Sequence, residues 1–222
     1  MENKNIILIV IVIIAIVAVA GYVFSSGMLK GETKNVQTTP FKTDFMEGSF
    51  IGNVSLVNDS EKFMHSYKDK KNDITYNIST VDNSTALMDI YYIQGVSNPD
   101  ERTFNGNDWN IYFTQGMEGN NTNKTMDIII CQSQGEKQGY LIYAIFGPDS
   151  KINSTLNIFG AEYKDYVEPM LKTITLKESK NVPAINDQYG LTADEFAQQM
   201  ELVQQYKAGN TSALDSQQEA TE

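Results

Sequence analysis

The sequence predicts an α+β protein: an N-terminal transmembrane helix, then an antiparallel β-meander sheet packed on a late amphipathic helix, with a further helix at the C-terminus. Three observations carry this. An uncharged apolar run lies near the start, short strand-like runs separated by turn residues fill the middle, and helical spacing of apolar residues appears only late in the chain.

From Ile6 to Phe24 there are nineteen residues without a charge, between Lys4 and Lys30. At 1.5 Å rise per residue such a run crosses a bilayer core of about 30 Å. Ile and Val make a mediocre helix in water, but in hydrocarbon the helix satisfies the backbone locally. Residues 1–5 are then a short cytoplasmic end, 6–24 a transmembrane helix or signal anchor, and Tyr22 and Phe24 an interfacial aromatic anchor. Ala18, Val19 and Ala20 also fit a small-x-small cleavage site, so a secreted protein released after Ala20 is the alternative. Both readings export the remainder.

Charge bias does not orient the span, since Lys4 is opposed by Lys30 and Lys34. Asn-x-Ser/Thr occurs eight times, at Asn53, Asn58, Asn77, Asn83, Asn120, Asn123, Asn153 and Asn210. Twenty Asn in the chain give roughly three such sites by chance. The excess points to a glycosylated extracytoplasmic surface, the competing explanation being that Asn, Ser and Thr gather in polar turns.

Residues 25–44 lack apolar periodicity and read as a stalk. An extracytoplasmic α+β domain over 45–178 follows. Phe45, Met46, Phe50, Ile51 and Val54 to Val57 suggest an opening strand or strand pair, interrupted by Gly48 and Gly52. Strand-like runs come next at Ile74 to Val81, Leu87 to Ile93, Trp109 to Phe113, Met126 to Cys131 and Tyr140 to Phe146. Turn signals separate them: Lys70 to Asp73, Asn98-Pro99-Asp100, Asn105-Gly106-Asn107, Gly119 to Asn121 and Gly135 to Gly139. Connections this short force antiparallel neighbours.

Phe159, Tyr163, Tyr166, Val167, Met170 and Ile174 then fall on one helical stripe, with Glu162, Lys164, Asp165, Glu168 and Lys172 off it. Pro169 should kink that helix, and Thr173 to Leu176 can return as an edge strand. Residues 179–191, with Pro183 and Gly190, read as a linker. Thr192 and Glu195 form a capping box for an amphipathic helix over 192–208, whose stripe of Phe196, Met200 and Val203 either packs on the domain or docks another protein. Residues 209–222 are polar and acidic enough for a disordered tail.

The net charge of −11 repels nucleic acid, and Arg102 is the single arginine available for bidentate grip on phosphate. Lone Cys131 forms no intrachain disulfide and reads as a small core side chain. His65 is the single histidine, without a nucleophile elbow near it, so triads and multi-histidine zinc sites fail. No Gly-rich cradle opens a helix, and no cofactor is expected. Asn186 to Gly190 puts Ile185, Tyr189 and Phe196 where an EF-hand needs oxygen ligands, and the match breaks. Tyr91, Tyr92, Trp109 and Tyr112, with Phe113, form a candidate recognition surface, since adjacent Tyr91 and Tyr92 would point to opposite faces of a strand.

The order of elements, with Phe41 to Phe50 (FKTDFMEGSF) and Tyr189 to Phe196 (YGLTADEF), resembles the PsbP/Mog1-like α/β domains, as in small membrane-anchored surface proteins of methanogenic archaea. That resemblance implies a fold, a place on the cell surface and protein binding, with no active-site residues to carry over. The functional expectation is a non-catalytic binding module of the cell envelope, single-pass in the cell membrane through 6–24, with protein or cell-envelope glycan as partner. The alternative is an exported carboxylate-dependent hydrolase, which needs two carboxylates in a concave pocket.

Overall fold

The computed structural model describes residues 37–118, 121–188 and 190–210. The predicted transmembrane helix, residues 25–36 of the stalk and the tail from 211 lie outside them. No helix among the described residues is long and apolar enough to cross a membrane.

The chain is α+β, with two antiparallel sheets. The smaller has the order β1-β2-β10, from Thr38–Lys42, Met46–Ile51 and Thr175–Leu176. The larger has seven strands: β3 (Val54–Glu61), β4 (Met64–Asp69), β5 (Ile74–Val81), β6 (Asp100–Phe104), β7 (Asn107–Glu118), β8 (Asn121–Gln134) and β9 (Gly139–Phe146). Their order, β3-β4-β5-β9-β8-β7-β6, is two meanders closed on each other where β5 meets β9. Asn105 and Gly106 both adopt positive φ, 50° and 79°, the backbone a tight β6–β7 hairpin demands and the reason Asn-Gly stands there.

The strand expected over Leu87 to Ile93 is instead helix α1, Ser84–Ile93. Asn83 caps it, its side chain accepting from the Ala86 N–H at 3.1 Å. Ala86, Leu87, Met88, Ile90 and Tyr91 are buried, a helical spacing rather than an alternating one. Two strands lie where no strand-like run was predicted: β4, which contains His65, and β6, which begins at Asp100 of the predicted turn. A third, β1, lies inside the expected stalk. The 179–191 stretch is tied to the domain by the Asp82 N–H donating to the Pro183 carbonyl, and contains the short helix α3, Ile185–Gln188.

The late helix is a π-helical turn, Glu162–Val167, running into α2, Glu168–Leu171. The Glu168 N–H reaches back to the Tyr163 carbonyl, the wide turn being completed just before Pro169, which has no N–H to donate. Phe159, placed on the buried stripe by spacing, precedes the turn and is 80% exposed. The last helix, α4 (Ala193–Lys207), starts at the predicted capping box, with Thr192 and Glu195 satisfying each other's N–H groups.

The large sheet is covered on both faces. On one, the π turn, α2 and the small sheet bury Phe45, Phe50, Tyr163, Val167 and Met170 against Ile78, Trp109, Ile129 and Ile142. Phe50 stacks on Phe41 and Tyr76 at 4.3 and 4.7 Å between ring centres. On the other, α1 packs on β8 and β9 through Leu87, Met88 and Tyr91 against Ile130, Leu141 and Tyr143, and α4 packs on α1.

Candidate functional site

Most side chains proposed for recognition are buried. Tyr91, Trp109 and Tyr112 are 3%, 1% and 9% exposed, and Phe113 is buried with them. Tyr92 is on the surface, its ring 6.0 Å from Tyr206. The stripe on α4 is occupied within the fold: Val203 is fully buried, Phe196 and Met200 are half-buried against the same cluster, and Lys207 pairs with Asp89 of α1 at 2.5 Å.

Of the sequons, Asn53, Asn153 and Asn210 are exposed, and Asn58 is half-buried in β3. Asn77 is buried within β5, and exposed Asn83 spends its side-chain oxygen on the α1 cap. Asn120 and the side chain of Asn123 lie outside the described residues. The His65 ring lies 5.7 Å from Phe45, and its Nε2 is buried without a hydrogen-bond partner among the described residues. Burial pushes the Cys131 thiol well up, away from reactivity.

The outer face of the small sheet forms a concavity of about 510 Å³ that opens to solvent. Strand register places Pro40 beside Ser49, and Lys42 beside Glu47, which in turn neighbours Thr175; Thr173 closes one side. Gly48 sits among them because a Cβ there would come within 3.1 Å of Ile174 and 3.2 Å of Phe41. Glu47 pairs with Lys177, and with Lys42 at 3.6 Å. The hydrogen bond from Lys177 holds its carboxyl below the usual range, so at neutral pH it is a fixed anion and not an acid. Charges of both signs and hydroxyls around one proline suit a ligand rich in hydrogen-bonding groups.

A second cluster lies under the π turn. Gln115 of β7 stands opposite Asp127 of β8 and donates to its Oδ1 at 2.7 Å, while the Ser154 hydroxyl donates to Oδ2. Glu162, the first residue of the π turn, brings a second carboxyl within hydrogen-bonding reach of Asp127. It is 2% exposed, its Oε2 has no partner, and burial with the neighbouring Asp127 charge raises it to about 7. Spacing had put Glu162 off the buried stripe; the wide turn carries it inward, and no local pattern links it to Asp127. Glycoside hydrolysis needs its two carboxyls about 5 Å or more apart, with sugar or water between. Here the two carboxyls are within hydrogen-bonding reach of each other and Glu162 is enclosed, which is not that arrangement. Among the described residues, no three His, Cys, Asp or Glu side chains converge.

No protein family and no curated protein matches this sequence. A solved crystal structure from Bacteroides thetaiotaomicron is similar over 61% of this chain, with 8% identity and a TM-score of 0.39. The match spans 46% of that protein's length, and the likeness is too distant to define a shared fold.

Proposed function

We propose that this chain is a non-catalytic binding module of the cell envelope, held in the membrane by residues 6–24 with its α+β domain outside the cytoplasm, and that its ligand is an envelope glycan or protein. The address rests on the nineteen-residue uncharged run and the excess of sequons. The PsbP/Mog1-like resemblance, which implies surface display and protein binding, fits the same reading. One observation carries the binding role: the concavity on β1, β2 and β10 offers charged and hydroxyl groups for recognition while its one lining carboxyl, Glu47, is held ionised by Lys177. An ionised carboxyl beside two lysines accepts hydrogen bonds from a ligand and does not donate a proton to it.

Filling the concavity tests this. The intact protein in detergent is used to capture solubilised envelope proteins and isolated envelope glycan, beside Ser49→Trp and Thr175→Trp. Loss of the captured ligand with an unchanged Tm is the expected result; undiminished capture by both variants rejects the concavity as the binding surface. The mature N-terminus tests the address, since an intact Met1 or Glu2 means an anchored protein and a chain starting at Gly21 means a released one.

A further inference from the structure

Resting on the extracytoplasmic address proposed above, we infer that β3 is an edge guarded by sugar: glycans on Asn53 and Asn58 cover its unpaired side and keep it from pairing with the β3 of a second copy. In the large sheet β3 and β6 are the outer strands, and among the described residues β3 pairs with β4 alone. An open edge offers N–H and C=O groups to any other strand, so stable monomers block it. β6 is blocked by its five-residue length and by Asp100, Glu101 and Arg102. β3 has eight residues, and its middle is apolar and outside: Leu56 is 50% and Val57 38% exposed. Its acidic residues, Asp59 and Glu61, come only after Asn58.

Two sequons bracket that apolar pair, Asn53-Val54-Ser55 and Asn58-Asp59-Ser60. Asn53, just ahead of the strand, is exposed, as are Ser55 and Ser60. Asn58 is half-buried, and the register with β4 slips on either side of it, between Leu56 and Asn58 and again between Asn58 and Glu61. The Ser60 N–H donates to Asn58 Oδ1 at 3.0 Å, a local bond and not a ladder bond. Bulges at an edge lift a side chain out of the regular pleat, whereas Asn77 is buried in the inner strand β5. Extended chain puts Asn53 and Asn58 about 17 Å apart, the length that the five or six residues of a typical added strand occupy. Sugars at both ends leave no seat for one. The donor is a glycan joined at its anomeric carbon to a phosphorylated lipid carrier. The asparagine Nδ2 bonds to that carbon, the carbon–oxygen bond to phosphate breaks with its electron pair leaving on the phosphate, and one Nδ2 proton passes to a base of the transferring enzyme.

The full-length protein is purified from the membranes of the cells that make it, with peptide mass spectrometry reading occupancy and sedimentation in detergent reading association. Sugar on Asn53 and Asn58 and a monomeric chain are expected. Ser55→Ala combined with Ser60→Ala abolishes both sequons but keeps both asparagines; it should self-associate about tenfold more tightly than wild type, and adding Val57→Lys, a charge on the same edge, should restore the monomer. Bare Asn58 in a chain that carries sugar at Asn53 or Asn153 overturns the inference and leaves the address standing. A chain with no sugar at any sequon overturns it and withdraws the sequon support for the address as well. A sequon-free variant that associates no more than wild type, or association that Val57→Lys leaves unchanged, overturns the guarding role. If the double variant does not fold, the natural sequence made in cells lacking the lipid-linked donor takes its place: unmodified chain as monomeric as the glycosylated one rejects the guard.

Discussion

Trp109 shows how far a residue's role depends on what covers it. Its ring is 1% exposed, and the indole N–H has no hydrogen-bond partner. Packing accounts for its place, and the bare N–H opposes it. Trp109→Ala should therefore cost about 3–5 kcal/mol in urea unfolding. Trp109→Phe should cost clearly less, because it removes the unpaired donor along with part of the ring; equal losses would show a partner for the indole. The same logic sorts the sequons. A glycan cannot be carried by Asn77, buried inside β5, without breaking the strand, and on Asn83 it would compete with the α1 cap. If the chain is glycosylated, peptide mass spectrometry should find occupancy at Asn53 and Asn153 and an unmodified Asn77. Full occupancy at Asn77 would contradict the sheet register.

At the scale of elements, the sequence was most legible where a local signal is strong. The Thr192 and Glu195 capping box and the Asn105-Gly106 hairpin are where spacing put them. Leu87 to Ile93 misled because four of its members are Ile or Tyr, strand formers by propensity, whereas the Asn83 cap and the sheet face it covers favour a helix. β4 was missed because its apolar pattern is broken by Lys68 and Asp69, which are buried all the same: Lys68 pairs with Asp73 at 2.6 Å, and Asp69 takes the N–H groups of Lys71 and Asn72. Element-level charge also makes a pH prediction, at α2. Burial pushes the Glu168 carboxyl up, but hydrogen bonds from Lys164 and Lys172, at 2.5 and 2.8 Å, outweigh it and bring it below its ordinary 4.5. A carboxyl lowered on folding contributes stability that is fully present above that ordinary value and lost as pH falls through its folded value. Acid unfolding below about pH 4.5 should therefore be shallower in Glu168→Gln than in wild type, with no difference in slope near neutrality; parallel curves in acid would remove this pair of ion bonds as a source of stability.

For the whole molecule, what decides architecture is which apolar surface covers which, and local pattern cannot show that. The stripe of α4 read as part of the domain, with a docking helix for another protein as the alternative. In the structure α4 closes over α1, and α3 adds Ile185 to the same cluster. The Ile185 N–H donates to Asp82 Oδ1 at 2.9 Å, and Lys207 reaches Asp89 at 2.5 Å, so the C-terminal segment is fastened at both ends. A chain ending at Ser179 then loses a layer and not an accessory. Full burial of Ile185 and Val203 contributes about 1.5–3 kcal/mol each, before Phe196 and Met200 are added. For a domain of this size that corresponds to a Tm lower by roughly 10 °C, together with dye binding to the uncovered face of α1. A truncated chain that keeps its Tm within a degree but loses a captured partner would restore α4 as a docking helix. A large fall in Tm makes α4 part of the domain and directs any search for the ligand to the concavity on β1, β2 and β10, which lies on the far side of the large sheet from α1 and α4.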